Sequence, residues 1–167
     1  RDASTPELAP PERCPWDFVE GRLSLESGSP GDLAQASAAF GRAKAPGCPL
    51  ASWARLRSGQ AEARAGHADQ ALALARSVPA DLAAARAEVR LVIAESLEAK
   101  GDRAGALPYW REWLAANPYG PRWVDTSLRI ANAFLDGIAG PAEAHAREAL
   151  DLATRVVVEA PKLADSV

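Results

Sequence analysis

The side chains of this 167-residue chain best equipped for chemistry are two cysteines, two histidines, five tryptophans and a scatter of carboxylates. Cys14 and Cys48 each stand just before a proline, 34 positions apart. A disulfide between them would suit an exported protein. Free buried cysteines are the alternative. Neither reads as a nucleophile, because no motif places a histidine to take up the thiol proton. Metal sites need several His, Cys or carboxylate ligands close together. His67 and His145 stand alone, with no H-x-x-x-H or C-x-x-C, so no metal ligand and no cofactor is expected. Both histidines fall near the start of a helix and read as surface turn residues. The glycine-containing stretch SGSPGDLAQA is read as a turn with Asp32 as an N-cap, not as a phosphate loop.

Trp16, Trp53, Trp110, Trp113 and Trp123 could stack on glycans. Trp110 and Trp113 lie three apart in LPYWREWLAAN and form one stripe with Leu107 and Leu114, which makes core packing the better expectation. Trp53 and Trp123 stand near helix starts, where an aromatic plugs the seam between neighbouring helical units. No catalytic constellation emerges.

The elements that hold these residues are expected to be helices. Alanine occurs 38 times and is the best helix former. Hydrophobic residues make up 48% and charged residues 25%, as in an ordinary folded domain. The net charge of -3 gives no electrostatic case for nucleic acid. No 18-residue apolar run exists that could span a membrane. The chain starts at Arg1-Asp2 without Met and reads as a processed piece; its first 13 residues are Pro-rich and read as a flexible lead-in from an anchor or upstream segment.

A repeat organises the rest. RSGQAEARAGHADQAL at 57–72 and IAESLEAKGDRAGAL at 93–107 place Gly66 against Gly101 and Ala71-Leu72 against Ala106-Leu107, each with an offset of 35. Proline marks the unit starts in CPWDF, CPLAS, VPADL, GPRWV and APKLA. Glycine or a polar pair marks the middle of each unit, where one helix ends and the next begins. Helices are expected over residues 15–27, 32–45, 49–65, 68–78, 79–100, 103–117, 121–135 and 141–160. Residues 161–167 read as the opening of a fifth unit. A helical pair of this size must stack on its neighbours to bury its apolar face. The expected fold is all-α: an α-solenoid of about four helix-turn-helix repeats over residues 14–167.

This pattern resembles the tetratricopeptide repeat. In that family a small residue at position 8, Gly near 15, Ala at 20 and Pro at 32 let the two helices of a unit touch. Gly21 and Gly28, Gly59 and Gly66, and Ala94 and Gly101 are each seven apart; Ala71 and Ala106 match position 20, and Pro118 matches position 32. The first unit departs with its longer SGSPGD turn, the fourth with an extra residue in DGIAGPAEA. The family's register would line a concave partner groove with Trp53, Gln60, Arg64, Glu88, Glu95, Glu98, Asp125, Asn132 and Asp136, acidic in its C-terminal half. Such a groove would favour basic or polar peptide or protein ligands, although solvated surface charge accounts for the same residues.

A narrower resemblance is to the superhelical region that precedes the catalytic domain of soluble lytic murein transglycosylases. It rests on CPLASWARLRSGQAEARAGHADQALALARSV, on GDRAGALPYWREWLAANPYGPRWVDTSLRIANAFLDG and on VVVEAPKLADS. That family's catalytic Glu sits in a Glu-Ser-x-Phe motif followed by Gly-Leu-Met-Gln. Here Glu95 precedes Ser96, but the rest is missing, so Glu95 is expected to be non-catalytic. The resemblance implies a non-enzymatic scaffold of the bacterial periplasm or cell envelope, associated with peptidoglycan, or the accessory superhelix of a transglycosylase whose catalytic domain lies elsewhere. A cytoplasmic adaptor is the rival location.

Overall fold

The computed structural model describes residues 9–138 and 142–164. Most of the lead-in, residues 1–8, and the fourth unit's turn at 139–141 lie outside that range, as do residues 165–167. Eight α-helices follow one another: α1 (Pro10–Ser27), α2 (Pro30–Ala43), α3 (Ala51–Arg64), α4 (Ala68–Arg76), α5 (Arg86–Ala99), α6 (Arg103–Ala116), α7 (Trp123–Leu135) and α8 (Ala142–Ala164). A short 3-10 turn, Ala83–Ala85, leads into α5, and there is no strand among the described residues. The chain is all-α.

Glycine sets the rhythm. Gly28, Gly66, Gly101 and Gly137 follow α1, α3, α5 and α7, with φ of 73°, 84°, 82° and 73°. A residue in this left-handed conformation stops a helix and turns the chain, and glycine adopts it without steric penalty. Seven residues before the first three stand Gly21, Gly59 and Ala94, all buried. In the fourth pair that place is taken by the buried Ile130.

Four readings differ from the sequence expectation, the largest at α5, which begins at Arg86 and not at Pro79 because a turn and the 3-10 segment Ala83–Ala85 come between. Helix α1 begins at Pro10, not near residue 15, so residues 10–13 are helical rather than part of a flexible lead-in. Pro10 and Pro11 occupy the first turn, where a missing N–H goes unnoticed, and Ala9 N–H is accepted by Glu12 Oε2 at 3.3 Å. Helix α8 runs through Pro161 to Ala164, so residues 161–164 continue that helix instead of opening a fifth unit. Ser29, not Asp32, is the N-cap of α2: its side chain accepts from the Asp32 backbone N–H at 3.3 Å. Asp32 lies three residues on and accepts from the Ser29 and Ser27 hydroxyls.

Two compact units divide the chain, residues 1–92 and 93–167, with the boundary inside α5. In the first, α1 packs on α2, α2 on α3 and α3 on α4. Leu25, Leu33, Ala36, Phe40, Ala43, Ala54 and Ala61 form its core, with Phe18 against them. The small residues bring backbones close: a Cβ on Gly59 would lie 3.4 Å from the Ala71 carbonyl oxygen of α4. A Cys14–Cys48 disulfide, Cα atoms 5.9 Å apart, ties α1 to the loop before α3. Asp17, 4% exposed, is held by Arg42 of α2 at 2.7 Å and by Arg13 at 3.4 Å. In the second unit α7 packs against both α6 and α8. Its buried side chains include Trp110 and Trp113 of α6, Trp123, Ile130 and Phe134 of α7, and Leu152 of α8.

Candidate functional site

The residues expected to line a groove divide between the two units. Trp53, Gln60, Arg64 and Glu88 fall in the first; Glu95, Glu98, Asp125, Asn132 and Asp136 fall in the second. In the first unit Gln60 bridges helices: its amide donates to Glu88 Oε2 of α5 at 3.0 Å and its oxygen accepts from Arg57 at 2.7 Å. Arg64 donates to the Leu25 carbonyl of α1 at 2.9 Å, fixing the end of α3 to the end of α1. Burial lowers the pKa of Arg57, with Glu88 opposing. Trp53 is half-buried.

In the second unit the expected acidic residues are ion-paired. Glu95 pairs with Arg122 at 2.5 Å, and Asp136 with Arg103 at 2.6 Å. Arg129 holds both Glu98 and Asp125, the latter at 3.0 Å, and lies 5.3 Å from the centre of the Trp110 ring. Burial alone would weaken the Arg129 charge, but hydrogen bonding to Asp125 and the field of Glu98 raise its pKa overall. Three arginines thus offset part of the charge of the four carboxylates Glu95, Glu98, Asp125 and Asp136. Asn132 is exposed on the same helix as Arg129.

Glu95 is a quarter exposed and salt-bridged, and Ser96 is buried at 1%. Arg122 also lies 3.6 Å from Asp125, so Glu95 and Asp125 share one cation.

His67 has company that the sequence did not reveal. Its Nδ1 lies 2.7 Å from Glu62 Oε2, and the Ser37 hydroxyl donates to the other Glu62 oxygen. The three side chains line an open cleft of about 680 Å³ between α2 and the α3–α4 turn, with Leu33, Ala34 and Ala38 as its apolar wall. The order is wrong for nucleophilic catalysis. An activated serine donates to a histidine that a carboxylate orients; here the carboxylate sits in the middle and Ser37 donates to it, not to the histidine. Nearby, burial pushes the Lys44 ammonium below its usual range against the opposing pull of Glu62. Ser37 and Glu62 lie 25 residues apart on different helices, and no local motif could have joined them.

His145 is not a free turn residue. Its ring stacks on Phe134 at 4.9 Å, and its buried Nδ1 has no hydrogen-bond partner among the described residues. Trp110, Trp113 and Trp123 are in the core at 3%, 2% and 4% exposure, whereas Trp16 is 68% exposed beside Val19 and Leu23 on the outer face of α1. No group of three or more His, Cys, Asp or Glu among the described residues could hold a metal ion, and no described helix is long and apolar enough to cross a membrane. Set against known proteins, the chain matches no family model, no curated protein and no solved structure.

Proposed function

We propose that this chain is a non-catalytic helical-repeat scaffold that binds a protein or peptide partner in the bacterial cell envelope. The observation that carries this reading is the recurrence of a left-handed glycine after α1, α3, α5 and α7, with a small buried residue seven positions earlier in three of the four. Repeated hairpins of this kind stack into α-solenoids of the tetratricopeptide type, whose use is to present surface. The Cys14–Cys48 disulfide supports an oxidising compartment. The pairing of Glu95 with Arg122 supports a non-enzymatic role.

Site-specific photo-crosslinking in the native compartment tests the proposal. Crosslinkers at Trp53 in the first unit and at Asn132 in the second should each trap a defined partner, and one on the outer face of α1 at Leu23 should not. Absence of any adduct from the two groove positions overturns the reading. The second reading, an accessory superhelix of a peptidoglycan transglycosylase, rests on the resemblance of the CPLASW and VVVEAPKLADS stretches. It requires the chain to pellet with purified peptidoglycan sacculi without releasing muropeptides.

A further inference from the structure

A smaller cavity in the first unit has a one-sided charge. It measures about 360 Å³ and lies between the end of α4, the loop into α5 and the first turns of α5. Arg76, Arg86 and Arg90 line it together with Val78, Leu82 and Val89, and no Asp or Glu is among its lining residues. Small-molecule sites typically span about 300–1,000 Å³ and combine an apolar lining with a few convergent polar groups. The chain as a whole is net acidic at -3, so three guanidinium groups around one apolar hollow are a local concentration.

Helix electrostatics account for one of these arginines and not for another. Arg76 sits in the last turn of α4, where the helix dipole favours a cation. Arg86 is the first residue of α5, where the same dipole disfavours one. Among the described residues it makes one long hydrogen bond, 3.5 Å to the Ala80 carbonyl, and a guanidinium has five N–H donors. An anion seated between Arg86 and Arg76 would relieve that unfavourable placement.

We propose that this cavity binds a carboxylate carried on a short apolar stem, with the carboxylate on Arg76 and Arg86 and the stem against Val78, Leu82 and Val89. Arginine suits this task because its planar fork meets both oxygens of a carboxylate. The site does not depend on the repeat reading, since all its residues belong to one compact unit.

Titration of the full chain with octanoate, followed by backbone amide shifts, tests this. Octanoate should shift the amides of residues 75–90 saturably, and 1-octanol, its neutral counterpart, should not. N-acetyl-leucine, which carries the same chemistry in the form of a peptide C-terminus, separates two sources: tighter binding than octanoate assigns the site to a peptide end, weaker binding to a free acid. Arg76→Gln combined with Arg86→Gln should weaken binding at least tenfold while leaving the amide spectrum elsewhere unchanged. Equal shifts from octanoate and octanol, no saturation by either acid, or undiminished binding by the double variant would each overturn the proposal. A lost partner crosslink with octanoate binding intact would count against the scaffold reading alone.

Discussion

Gly21 of α1 lies directly against the ring of Phe40 in α2: a Cβ added to Gly21 would stand 2.7 Å from the Phe40 ring and within 2.9 Å of three of its atoms. Phe40 is fully buried and also meets Phe18 edge-on at 5.6 Å, so its ring has nowhere to go. Alanine in a helix interior is worth about 1 kcal/mol over glycine, whereas overpacking a core costs about 1–3 kcal/mol. Gly21→Ala should therefore lower stability by about 1–2 kcal/mol. Gly59→Ala should be neutral or stabilising by up to about 1 kcal/mol, because its nearest neighbours stand at 3.4–3.5 Å, an ordinary contact. Urea denaturation of the two variants checks the contrast, and a Gly21→Ala protein as stable as Gly59→Ala would refute it.

The glycine rhythm was readable in the sequence because it is local: Gly28, Gly66 and Gly101 stop helices through their own backbone conformation. The boundaries that moved were set by prolines. Pro15 and Pro161 look like helix starts, yet both lie inside helices. The cations that meet the expected groove carboxylates were not readable. Arg122 and Arg129 meet Glu95 and Glu98 from another helix, 27 and 31 residues further along. Which cation reaches which carboxylate depends on how helices pack, and side-chain spacing along one helix is silent about that. The Ser37–Glu62–His67 cluster was missed for the same reason.

Arg129 joins Glu98 of α5, Asp125 of α7 and the face of Trp110 of α6. It is 37% exposed, so solvent screening reduces each ion pair to about 1 kcal/mol or less. Arg129→Ala should lower stability by about 1–2 kcal/mol, since the cation–π contact adds about 0.5–1 kcal/mol. Arg129→Lys should recover only part of that, because an ammonium lacks the rigid planar fork that aims separate N–H groups at two carboxylates and stacks on an aromatic face. The ion-pair share should shrink at high salt. Urea midpoints of wild type, Arg129→Ala and Arg129→Lys at low and high ionic strength measure it. Full rescue by lysine would show that the charge matters and the fork does not.

Hydrogen bonds from the Ser27 and Ser29 side chains hold the Asp32 carboxyl below the usual carboxylate range. A carboxyl group whose pKa falls on folding stabilises the fold above its unfolded value, about 3.9, and that contribution is lost as pH drops from there through the folded value. The stability difference between wild type and Asp32→Asn should accordingly be constant at neutral pH and narrow below about pH 4. Denaturation midpoints measured from pH 7 to pH 2.5 would expose a difference that stays flat or widens in acid, either of which contradicts the assignment.

The Cys14–Cys48 disulfide closes a 34-residue span that contains most of α1, all of α2 and part of the loop to α3. Both cysteines are buried, at 0% and 7% exposure, which shields the bond from reductant in the folded state. Thiol titration of the unfolded protein, purified from its native compartment, should find no free thiol before reduction and two after. A cross-link over a span of this length restricts the unfolded chain by about 3–4 kcal/mol. Cys14→Ser combined with Cys48→Ser should lose about that much, with the loss falling on the first unit. Hydrogen exchange separates the units: amides of α1 and α2 should open sooner in the variant, while those of α7 keep their protection. Uniform loss of protection in α1 and α7 alike would mean that the two units unfold as one.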